Sequence, residues 1–81
     1  MIRYADVRRG DVLRMVKAIP DPVPGFQRGD LVRVTAVHSL GVFVENRDGQ
    51  PCEFVYQCGA AYLEPTQWRD DFPEEQHKAA I

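Results

Sequence analysis

Apolar positions along this chain fall into short runs that alternate with polar ones, such as "DVLRM", "LVRVTAV", "GVFVEN" and "CEFVYQC", separated by clusters rich in Gly, Pro and Asp. None of the first runs sustains the i, i+3, i+4 spacing over the roughly 11 residues that an amphipathic helix requires. Period-two runs of this length predict strands, and residues 30–38 are unusually rich in β-branched side chains, which suit a pleated sheet. The chain also repeats itself. "RGDVLRM" at 9–15 and "RGDLVRV" at 28–34 share an Arg-Gly-Asp followed by apolar residues and an arginine. Gly10 and Gly29 can adopt the positive φ that ends a turn, and Asp11 and Asp30 can hydrogen-bond local backbone. The repeat therefore predicts two strands launched through the same kind of turn, over about 11–18 and 30–38.

Between them lies "IPDPVPGFQRG", where three prolines at alternate positions remove backbone donors and favour an extended, stiff loop. A ligand for an SH3 or WW domain is the other use of such a segment, but "PDPVP" lacks an adjacent basic flank and is tied at both ends. Asp48-Gly49 between two apolar runs is a hairpin signal. A three-residue loop there would pair Val44 with Phe54 and Val42 with Tyr56, gathering apolar residues on one face and leaving Phe43, Val55, Glu45 and Glu53 on the other. "GAAYLEP" predicts a tight, 3₁₀-like turn and then a short closing strand stopped near Pro65. Trp68 and Phe72, four apart, fit one side of a helical turn that covers an open end of the core. The tail has the charge polarity of a short helix, but at under ~12 residues it frays unless held.

Eighty-one residues make one domain with a thin core. The expected division is a β-barrel over 1–68 and an acidic, short helical or flexible tail over 69–81. With 44% hydrophobic and 27% charged residues the composition is that of a folded, soluble chain. No run reaches the ~18 apolar residues of a membrane span, and the N-terminus lacks the apolar segment of a secretory signal, so a cytoplasmic home in a bacterium or virus is expected. The net charge of −2 is uneven: residues 1–33 carry seven Arg/Lys against four Asp/Glu, net +3, and residues 34–81 carry three against eight, net −5.

Four or five short strands with a long first loop suggest a mainly β chain, a small bent antiparallel barrel. On the Gly-Asp strand starts at 10–11 and 29–30, the loop at 19–29, "RDG" at 47–49 and "YLEP" at 62–65, the chain resembles the SH3-like barrels. The pattern, with "QWRDDF" near its end, is also similar to small bacteriophage- or prophage-encoded barrel proteins of unknown function. Polyproline recognition is not implied, because the tryptophan expected at the start of the hairpin strand is absent from "GVFVEN" and Trp68 lies past the presumed last strand.

Candidate chemistry is sparse. Cys52 and Cys58 are about 20 Å apart on an extended strand, against the ~7 Å between Cα atoms that a disulfide tolerates, so both are expected as small buried apolar residues. His38 and His77 add no metal-ligand spacing, and there is no nucleophile elbow, phosphate loop or dinucleotide turn. No catalytic residue, metal or cofactor is expected. Nor is adhesion through Arg-Gly-Asp, since both aspartates lead straight into apolar runs. The expected function is a non-enzymatic interaction or adaptor module that binds another protein or itself through Phe26, Phe43, Val55 and Trp68, with Val12 and Leu31 also on the outer face. The alternative is a nucleic-acid-binding accessory protein that uses Arg14, Arg28 and Arg33 as a basic strip. A pI near 5.6 weighs against it.

Overall fold

The computed structural model describes residues 4–20, 23–55 and 59–74. It is mainly β: a single open sheet of five antiparallel strands, β1 (Asp11–Met15), β2 (Leu31–His38), β3 (Gly41–Glu45), β4 (Pro51–Val55) and β5 (Leu63–Arg69). The order is β4-β3-β2-β1-β5, a meander of four whose last strand returns beside the first. Among the described residues no ladder joins β4 to β5, so the expected barrel does not close. Single 3₁₀ turns occupy Tyr4–Asp6 and Ala60–Tyr62, the latter at the predicted turn before β5.

The sequence repeat is a structural repeat. In each copy a four-residue turn is closed by the aspartate N–H donating to the carbonyl three residues earlier, Asp11 to Arg8 at 3.1 Å and Asp30 to Gln27 at 3.0 Å. The carboxylate returns the bond, accepting from the Arg8 N–H at 2.8 Å and the Gln27 N–H at 2.9 Å. The glycine inside each turn has positive φ, 95° at Gly10 and 92° at Gly29, a conformation a side chain would strain. Each glycine N–H then anchors the turn to a strand, Gly10 on the Val34 carbonyl and Gly29 on the Met15 carbonyl, both at 2.8 Å.

Alternation places Leu13, Met15, Val32, Val34, Val42, Val44, Phe54 and Leu63 in one buried cluster. Ala36 is exposed, because the β2–β3 register shifts between Val34 and Ala36. The β3–β4 hairpin differs from expectation. Val44 pairs with Cys52 and Val42 with Phe54, because the three-residue loop is 47–49, one residue earlier than the expected pairing requires, and Tyr56 lies outside the described residues. The cause is Asn46. Its buried carbonyl oxygen accepts from the N–H groups of Asp48 and Gln50, both at 2.9 Å, and the backbone bond from Asn46 N–H to the Gln50 carbonyl closes the turn. Because the slip is two residues, every side chain keeps its expected face.

The aromatic that seals the core comes from an unexpected place. Phe26, expected on the surface, is 1% exposed, packed with Ile19 and Val23 against the strand cluster. The proline loop therefore folds over the core, and the Asn46 amide fastens it by donating to the Pro24 carbonyl at 3.2 Å. Trp68 and Phe72 do not share a helical turn. β5 continues through Pro65 to Arg69, which an edge strand permits because its outer N–H groups need no ladder partner. Asp70, at φ 68°, then reverses the chain toward Phe72. The expected helix over the tail falls largely outside the described residues.

Candidate functional site

The outer face of the β2–β3–β4 hairpin pair carries Phe43 and Val55, two of the four exposed large apolar side chains among the described residues. Phe43 is 41% exposed, Val55 38%, and Leu40, in the β2–β3 turn, 69%. Register explains the grouping: Phe43 stands opposite Glu53 and Gly41 opposite Val55, so Phe43 and Val55 are diagonal neighbours on one face. His38, opposite Gly41 on β2, shares that face, its ring centroid 4.9 Å from that of Phe43.

Two polar contacts position the histidine. Its Nδ1 accepts from the Leu40 N–H at 3.2 Å, and Nε2 lies 2.9 Å from Glu53 Oε2. Phe43 and Val55 thus share a face with one polar pair, and Leu40 lies in the turn beside it. Glu45 and Glu53 share this face but are not opposite each other: the register gives Glu53 to His38 and Glu45 to Arg33.

The other expected contact residues disperse. Val12 is buried, because β5 places residues 66–68 opposite it alone where the β1–β5 register shifts, and the Thr66 hydroxyl donates to its carbonyl. Leu31 is half-buried. Trp68, also half-buried, lies in β5 with the Arg14 guanidinium 5.9 Å from its ring centre, away from Phe43 in the strand order. Phe26 is core.

The basic strip is largely spent on neighbours. Arg14 bonds Glu64 at 3.1 Å, across the β1–β5 ladder. Arg33 bonds Glu45 at 2.7 Å and the Asp70 carbonyl at 2.8 Å, and lies 5.5 Å from the Phe72 ring centre. Arg28 is exposed on the second Gly-Asp turn, within neither pairing. These partly exposed ion pairs add little stability, but they do neutralise the charge a phosphate would need.

Cys52 packs half-buried against the core, and burial pushes its thiol above the usual cysteine range. The Glu53 carbonyl, to which the thiol donates, pulls the other way, and the Glu53 carboxylate adds to the rise. Such a thiol is a weak nucleophile. Cys58 lies outside the described residues. Among the described residues no three His, Cys, Asp or Glu side chains converge as metal ligands, and no helix is long and apolar enough to cross a membrane.

Sequence reasoning placed Phe43 and Val55 on the outer face but gave no place there to Leu40 or the His38–Glu53 pair. "SLG" read only as a break, and nothing local couples residue 38 to residue 53 without the register. No family model, curated protein or solved structure matches this chain.

Proposed function

We propose that the protein is a non-enzymatic interaction module whose docking surface is the outer face formed by Leu40, Phe43 and Val55 around the His38–Glu53 pair. The observation that carries this reading is that Phe43 and Val55, both large, apolar and exposed, share one two-hairpin face, with exposed Leu40 in the adjoining turn. A sheet face presents such residues in fixed geometry, so little conformational entropy is lost when a partner covers them. The resemblance to phage-encoded barrels makes virion and prophage proteins the first partners to test.

The test is affinity capture from the encoding organism with the wild-type chain and with Phe43→Ser/Val55→Ser. Both side chains are substantially exposed, so the variant folds with a stability change below about 1 kcal/mol. A protein retained by the wild type and lost by the variant supports the reading. Equal retention by both refutes it. The nucleic-acid alternative is tested by titrating labelled duplex DNA at two salt concentrations. Affinity that falls steeply with salt and with Arg14→Ala/Arg33→Ala would favour that alternative.

A further inference from the structure

A second surface lies where β1 and β2 part. β2 is paired along its length with β3, but β1 covers its other edge only from Leu31 to Arg33, with one further bond from the Gly10 N–H to the Val34 carbonyl. From Thr35 onward no described strand pairs with that edge. The two-residue turn joining His38 to Gly41 makes those residues a hydrogen-bonded pair, and alternation then directs the N–H and C=O of Val37 away from β3, into the gap. The gap is a groove of about 660 Å³ lined by Val7, Arg8, Arg9, Thr35, Val37 and Arg69 among others.

Its chemistry is one-sided. No acidic side chain lines it. Arg8 and Arg9 are exposed, and among the described residues neither side chain has an ion-pair partner. Arg69 reaches Asp11 only at 3.8 Å, and that carboxylate is already committed to the turn through the Arg8 N–H. The floor is apolar, with Val37 43% exposed, although its strand neighbour Val42 is buried.

We propose that this open edge of β2 is a strand-addition site for an extended acidic peptide of a partner protein, one that alternates carboxylate and apolar side chains. The peptide backbone pairs with the Val37 edge, one row of side chains lies on Val37 and Val7, and the carboxylates meet Arg8, Arg9 and Arg69. Nucleic acid fits less well. It has no backbone complementary to a strand edge. The groove adjoins the Phe43 face through Ala36, which lines it and pairs with Phe43, but the residues it relies on, Val37, Arg8, Arg9 and Arg69, are not those of that surface, so the two are tested separately.

The experiment titrates the full chain into a short fluorescein-labelled peptide of alternating glutamate and valine, followed by anisotropy, with a lysine–valine peptide and labelled oligothymidylate as parallel probes. Amide exchange at Val37 is read with and without the acidic peptide. Expected are saturable binding of the acidic peptide alone, slower exchange at Val37, and an affinity loss of about tenfold or more in Arg8→Gln/Arg9→Gln. Those side chains are exposed, so circular dichroism of that variant should match the wild type. A Val37→Pro variant, which removes the edge donor, should also lose binding. No binding of the acidic peptide, equal binding of the lysine peptide, preferential binding of oligothymidylate, or unchanged exchange at Val37 would each overturn the proposal.

Discussion

Asn46 does more for this structure than its position in a loop suggests. It is buried, organises the 46–50 turn through its carbonyl oxygen, and ties that turn to the proline loop through its amide. Asn46→Ala would leave the turn's N–H groups without their acceptor, so a loss of about 2–3 kcal/mol in urea denaturation is expected. Asn46→Asp keeps the acceptor but faces the Pro24 carbonyl and Gln50 Oε1 with an oxygen in place of the donor, and should be at least as damaging. Cys52 supplies a second residue-level test. Because burial holds its pKa up, less thiolate exists at a given pH than in an unfolded chain. In a Cys58→Ser background, alkylation at pH about 8 should be slower in the folded protein than in urea, and should accelerate as pH rises.

At the scale of elements, the twin Gly-Asp turns set the sheet. Each aspartate accepts the N–H three residues back while donating its own, so Asp30→Asn, which weakens the charge-assisted bond, should cost about 1 kcal/mol and Asp30→Ala more. The same substitutions at Asp11 should cost a similar amount, since the geometry is shared. These turns, the inward alternation and the outer placement of Phe43 were legible in the sequence, because glycine, aspartate and period-two patterning act locally. The hairpin register was not. Asp48-Gly49 marked the turn, whereas the bonds that fix its position come from the Asn46 side chain, whose amide needs a partner on a loop 22 residues away. Phe26 was misread for a related reason: a proline loop suggests a solvated strap, and only the open end of the sheet shows what an aromatic there must cover.

For the whole molecule, the consequence of an unclosed sheet is that a thin core is finished by a loop and that strand edges remain on offer. Phe26→Ala should therefore destabilise as a core deletion does, by about 3–5 kcal/mol, rather than leave stability unchanged as a surface contact would. The same openness leaves two surfaces, an apolar hairpin face and a basic strand edge, on one small scaffold. The apolar face carries the functional reading, and photocrosslinking tests it most directly. A benzophenone amino acid is placed at Phe43, and in a control at the exposed Arg28, and each protein is irradiated in extract of the encoding organism. The account predicts a discrete crosslinked protein from position 43 that is absent from position 28 and lost when Val55→Ser is added. Crosslinks of equal pattern at both positions, or none at position 43, would contradict it.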